Sequence, residues 1–170
     1  MQRLLLIIGA CLALLVAGCG SDDSTSTASS STASTEESEA PAEGEAAKKT
    51  APKVTVPNGA PPKSTTTKDL EEGTGVAAKA GDVVSVNYVG VNYKTGKEFD
   101  ASWARGEPFT FTLGGGEVIS GWDEGIEGMK VGGRRELIIP PNHAYGSTGA
   151  PPAIPPNETL VFVVDLEAIE

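Results

Sequence analysis

The 170-residue sequence predicts an α+β domain in which an antiparallel β-sheet is covered on one face by a single short α-helix, behind an export signal and a disordered tether. Three observations lead there. Several segments between residues 83 and 170 alternate apolar and polar side chains with the strand period of two, and one stretch carries a helical period. Residues 20–63 are almost free of large apolar side chains.

The chain opens with MQRLLLIIGACLALLVAGCG: one Arg, an apolar run from Leu4 to Val16, then small residues. This is the layout of a secretory signal, residues 1–18, and the run is shorter than the roughly 20 residues of a membrane span. The step LVAGC resembles the bacterial lipobox, in which the chain is cut before a cysteine that then carries the lipid. That resemblance implies that Cys19 is the acylated first residue of an exported protein, anchored to the outer face of a membrane in the cell envelope. The alternative is an ordinary signal peptide with a chance cysteine. On the lipobox reading Cys11 is discarded and Cys19 capped, so no thiol remains for a disulfide or a metal, and the core alone holds the fold.

Residues 19–67 read as the tether. Their Ser, Thr, Ala, Glu and Pro cannot bury enough surface to offset the entropy of ordering. A flexible coil of the 48 residues between Cys19 and Lys68 averages roughly 40 Å end to end. Residues 68–170 are the size of one domain with one core, and carry 16 acidic against 8 basic side chains. With no basic patch and a net charge of −10 for the whole chain, nucleic acid is not an expected partner.

Within the domain, DVVSVNYVG sets Val84, Val86 and Tyr88 on one face of a strand and Ser85 and Asn87 on the other. VNYKTGKEFD is a hairpin end with Thr95-Gly96 as its turn. FTFTLG places Phe109, Phe111 and Leu113 together, with Phe111 expected in the core. In VISGWDEGIEGM, Trp122, Ile126 and Met129 share a helical face. Ser120 and Asp123 read as a capping box that starts the helix near Gly121. Gly125 and Gly128 each weaken it by about 1 kcal/mol, so packing must hold it. RRELIIP alternates Arg135, Leu137 and Ile139 with Arg134, Glu136 and Ile138, the two arginines reading as a solvated strand edge. TLVFVVDLEAIE turns Leu160, Phe162, Val164 and Leu166 inward. Between these last strands runs PPNHAYGSTGAPPAIPPNE, a loop with six prolines, and so long a loop is uncommon without a function. Strands around one short helix imply an antiparallel α+β layer.

The single histidine, His143, excludes a histidine-based triad elsewhere and a multi-histidine metal site. LGGGE lacks the Lys and Ser/Thr of a phosphate loop. No metal and no cofactor is expected. On residues alone, Trp122 is either the core anchor of a weak helix or a surface offered to a ligand.

The blocks VNYVG, GKEFDAS, PFTFTLGGGEVISGWDEGIEGMKVGGRRELIIPPNHAYGSTG and IPPNETLVFVVDLEAI, in this order and spacing, resemble the FK506-binding-protein type of peptidyl-prolyl cis-trans isomerase over roughly 100 residues. The resemblance implies a five- to six-stranded antiparallel sheet wrapped around one short helix, and makes Trp122 the floor of a pocket for a proline ring. It further implies a pocket lined by Tyr88, Phe99, Phe109, Val118, Ile119, Trp122, Tyr145, Ile154 and Phe162. Asp100 follows Phe99 as in the family, and Arg105 stands where a basic residue can pair with it; the plainer reading of Asp100 is a turn acid. Tyr145 matches a hydroxyl that meets a ligand carbonyl, and the backbone N–H of Ile119 a second donor. Expected partners are proline-containing polypeptide clients, in the folding of exported proteins, and FK506- or rapamycin-like macrolides, with the domain a monomer. The rival reading is a module on the same fold that binds a proline segment or a macrolide, with turnover incidental. Ala150, Pro152, Asn142 and His143 depart from the family pattern on the loop over the pocket, and bear on substrate preference rather than on fold.

Overall fold

The structure, a computed structural model, describes residues 49–170. The signal, Cys19 and most of the tether lie outside the described residues. In chain order the elements are β1 (Thr66–Glu71), β2 (Val83–Asn92), β3 (Glu98–Ala101), β4 (Phe109–Thr112), α1 (Ser120–Ile126), β5 (Arg134–Ile139), one 3-10 turn (Pro141–His143) and β6 (Leu160–Ile169). The strands form one antiparallel sheet in the order β1-β5-β6-β2-β3, and β4 pairs with β2 as well. β2 is long enough for both partners: residues 83–86 pair with β4 and residues 89–91 with β3.

The residues expected to face the helix form the main core. Val84, Val86, Tyr88, Leu137, Leu160, Phe162, Val164 and Leu166 meet Trp122, Ile126 and Met129 of the helical segment in one core, and Phe111 joins them as expected. The helix lies flat on β5 because its contact positions are glycines. A Cβ at Gly121 would stand 2.3 Å from Ile139 Cγ2, and one at Gly125 would stand 2.8 Å from Leu137 Cδ2. What those residues lose in helix propensity is recovered in close approach.

Four expectations change. The helix has no capping box: Ser120 is already inside it, Ile119 is the N-cap, and no side chain caps the end. Asp123 instead accepts the Gly114 N–H at 2.8 Å, tying β4's exit to the helix. The two arginines are not a solvated edge, because β5 lies between β1 and β6. Arg134 makes a bidentate pair with Asp165 directly opposite on β6, at 2.6 and 2.7 Å. Arg135 turns to the other face and donates to the carbonyls of Gly125 and Glu127, the open end of α1, and to Asp69.

The sheet is also covered on both faces, and the domain begins before residue 68. β1 starts at Thr66, with all six of its residues exposed. Upstream, residues 49–61 form a strap over the outer face. Val54 and Val56 pack on a second apolar cluster of Val89, Val91, Ala101 and Val161, together with Tyr93, Trp103 and Ile138. Lys49 pairs with Glu71 at 2.7 Å, and Arg134 holds the Thr50 carbonyl at 2.9 Å. Composition placed this stretch in the tether; two valines at strand spacing and one lysine suffice to dock it.

Candidate functional site

Trp122 is 4% exposed, at the base of a cluster of aromatics that four strands bring together. The Tyr88 ring of β2 meets it edge-on at 4.9 Å, Phe162 of β6 at 5.3 Å and Phe109 of β4 at 6.1 Å. Phe99 of β3 stands perpendicular to Phe162 at 5.5 Å. These are the edge-to-face contacts that ring quadrupoles favour, so each ring limits the orientation of the next. Gly90 makes room for the last pair: a Cβ there would lie 2.7 Å from both Phe162 and Phe99.

Ile154 is buried against the same cluster, and Val118 and Ile119 are packed on it from before the helix. Phe109 and Tyr145 are the exposed large side chains of this set, 37% and 42% exposed. The aromatic cluster therefore has a buried base at Trp122 and exposed side chains at Phe109 and Tyr145.

One wall is polar. Tyr88 donates its hydroxyl hydrogen to Asp100 at 2.5 Å and accepts from Arg105 Nη2 at 2.8 Å. Arg105 Nη1 pairs with the other Asp100 oxygen at 2.6 Å, and the guanidinium carbon stands 5.6 Å from the Tyr88 ring centre. Asp100 is thus more than a turn acid. Burial alone raises its pKa, but the hydrogen bonds from Tyr88 and Arg105 and the Arg105 charge outweigh it and hold the carboxyl below the ordinary range. Burial, then the bond to Asp100, pushes the Tyr88 hydroxyl up. Burial and the nearby Asp100 charge push Tyr145 up as well, so both phenols keep their protons across the physiological range.

Three groups keep free donors. Among the described residues the Ile119 N–H donates to no backbone carbonyl, the Tyr145 hydroxyl is in no side-chain hydrogen bond, and the buried Trp122 Nε1 has no partner. Tyr88 has no donor to spare. Its place is that of a wall.

Sequence reasoning passed over the support of this wall. Ser102, fully buried, accepts the Tyr88 N–H at 2.9 Å, donates to Asn87 at 2.9 Å, and its carbonyl closes the turn that carries Arg105. Ser102 and Trp103 stand in ASWARG, where only their position between Asp100 and Arg105 hinted at a role. His143, unassigned by sequence, holds both Glu124 oxygens at 3.0 Å and links the long loop to α1. A groove of about 760 Å³ opens away from the aromatic cluster, between the strap (Val54, Pro57, Pro61) and the β2–β3 turn (Tyr93, Gly96).

Residues 75–167 match the family model described as FKBP-type peptidyl-prolyl cis-trans isomerase. The chain is 60% identical over 119 residues to an FK506-binding protein of Streptomyces anulatus, covering 69% of this chain and 96% of that one. Among solved structures it is similar to AtFKBP13, with a TM-score of 0.58 and 39% identity over 62% of this chain and 93% of the other. It is also similar to FkpA from Escherichia coli, with a TM-score of 0.57 and 49% identity over 62% of this chain and 48% of that one.

Proposed function

Since the chain belongs to the FKBP-type peptidyl-prolyl cis-trans isomerases, we propose that it turns X-Pro bonds without covalent chemistry in the well above Trp122. The observation that carries this reading is the aromatic cluster of Tyr88, Phe99, Phe109, Trp122 and Phe162 with free donors at Ile119 and Tyr145. Rotation about a peptide bond is opposed by resonance, with a barrier of roughly 18 to 20 kcal/mol, and X-Pro is the bond at which both isomers are populated. The planar amide separates charge between oxygen and nitrogen; the twisted transition state localises the lone pair on nitrogen and loses that dipole. A water-poor aromatic well therefore disfavours the ground state more than the transition state, the differential that catalysis requires. A millionfold acceleration needs about 8 kcal/mol.

The donors act on the neighbouring carbonyls. A Tyr145 hydrogen bond to the rotating carbonyl would favour the planar form and slow the reaction, so its hydroxyl and the Ile119 N–H hold the flanking chain while the bond turns. Val118 and Ile154 close the sides of the well. Asp100 and Arg105 fix the Tyr88 ring as a rigid wall, and FK506 or a related macrolide occupies the same space.

The setting belongs to the same proposal. Cys19 carries a lipid, the domain stands outside the membrane as a monomer, and its clients are exported chains. In support, no helix among the described residues is long and apolar enough to cross a membrane, and LVAGC precedes a Ser/Thr-rich stretch. Exchange NMR of a short X-Pro peptide tests the pocket. Wild-type chain accelerates exchange and FK506 abolishes the acceleration, whereas Phe99→Ala and Tyr145→Phe lower it; full turnover in both variants overturns the residue assignment. Cys19→Ser tests the anchor: the protein leaves the membrane fraction, and an unchanged distribution refutes lipidation there.

A further inference from the structure

The strand period places the two faces of the sheet in strict relation. On β2, Tyr88 faces the aromatic core and its neighbour Val89 the outer cluster. On β3, Asp100 reaches Tyr88 while the next residue, Ala101, belongs to the outer cluster. In the turn after β3, Arg105 closes the polar wall, and Trp103, two residues earlier, packs on the outer cluster too. Each member of the Tyr88–Asp100–Arg105 network therefore has a near chain neighbour whose burial sets the direction in which that member points.

That cluster is not complete within β2, β3 and β6. Val54 and Val56 of the strap pack on it as well. The strap is held at one end by Lys49 on Glu71 at 2.7 Å and by the Thr50 carbonyl on Arg134 at 2.9 Å. Further along, the Gly59 carbonyl meets the Tyr93 hydroxyl at 3.5 Å. The matched family segment, 75–167, begins after it.

We infer that Val54 and Val56 are positioning residues for prolyl isomerisation: by closing the outer cluster behind Val89, Ala101 and Trp103 they hold Tyr88, Asp100 and Arg105 in the geometry of the pocket wall. The inference rests on the pocket assignment above. Without the strap, the outer faces of β2 and β3 and the indole of Trp103 are open to water, and the turn that aims Arg105 loses the packing behind it. A wall displaced by a fraction of an ångström still folds but grips a proline ring less well, since rate depends steeply on placement.

The test uses the full chain with Val54→Ser and Val56→Ser together, against wild type and against Val131→Ala, a core truncation away from the wall that serves as a control for lost stability. Two quantities are read: kcat/KM for an X-Pro peptide, and the ¹³C NMR titration of the Asp100 carboxyl, which Tyr88 and Arg105 hold low and to which Tyr145 also stands near. The serine pair lowers kcat/KM by roughly tenfold and moves the Asp100 midpoint up toward the ordinary carboxylate value. Val54→Ile with Val56→Ile restores both, and Val131→Ala moves neither. A serine pair that matches Val131→Ala in rate and in Asp100 midpoint overturns the inference. Should the pair fail to fold, Val54→Ala alone is read in the same two ways. Asp100→Asn separates the two readings: full activity in that variant refutes the pocket assignment, and the strap is then judged on the Asp100 titration of the serine pair alone.

Discussion

Trp122 is a core contact: its indole is buried by four aromatic neighbours, while Phe109 and Tyr145 stay exposed. The neighbours are held by equally specific residues. Gly90→Ala puts a methyl group 2.7 Å from Phe99 and Phe162, which costs about 1–3 kcal/mol and moves two pocket rings. Thermal unfolding and kcat/KM should fall together, and a variant with unchanged turnover would show that the ring pair does not shape the well. The Asp100 network makes a prediction in pH. Its carboxyl is lowered in the folded state by Tyr88 and Arg105, so its contribution is complete above the ordinary carboxylate range and is lost as pH falls through the lowered folded value. Acid unfolding of Asp100→Asn should therefore begin with less to lose below about pH 4, and curves that keep the wild-type slope there would refute the linkage.

Among the elements, β2, β4, α1, β5 and β6 were legible in the sequence wherever apolar and polar side chains alternate with a clear period, as in Val84, Val86 and Tyr88 against Ser85 and Asn87. β1 was not, because all six of its residues are exposed and backbone pairing with β5 leaves no apolar period to read. The helix start was misread for a related reason. Ser120 and Asp123 have the spacing of a cap, yet the Asp123 carboxylate is taken by Gly114, a contact that only the tertiary fold creates. Arg134 and Arg135 looked solvated until register gave one an acid opposite and the other a helix end. Two predictions belong here. Gly125→Ala should destabilise despite a propensity gain of about 1 kcal/mol, because Leu137 stands 2.8 Å from the new methyl; a raised melting temperature would mean that the helix can lift off β5. Arg135→Ala strips the carbonyls of Gly125 and Glu127 of their donor and should cost about 1–3 kcal/mol by denaturant unfolding, with no loss meaning that water replaces it.

At the scale of the molecule, the aromatic pocket was within reach of the sequence because its residues sit in contiguous blocks, whereas the strap was not, because Val54 and Val56 are set among Lys, Thr and Pro and their partners lie on strands far along the chain. A protein beginning at Ser64 should unfold several degrees lower than one beginning at Lys49 and bind more of a hydrophobic dye, since Val89, Val91 and Val161 lose their cover; equal melting curves would show the strap to be decoration. The docking of Lys49 and Thr50 on the back of the sheet also decides how the domain bears tension. Any pull from the N-terminal side arrives first at the Lys49 and Thr50 contacts and travels along a strip held by two valines and few hydrogen bonds, so it peels that strip residue by residue before it loads a single rung of β1 on β5. The strap is a mechanical fuse: a tug that opens it slackens the line and leaves the six-stranded sheet whole.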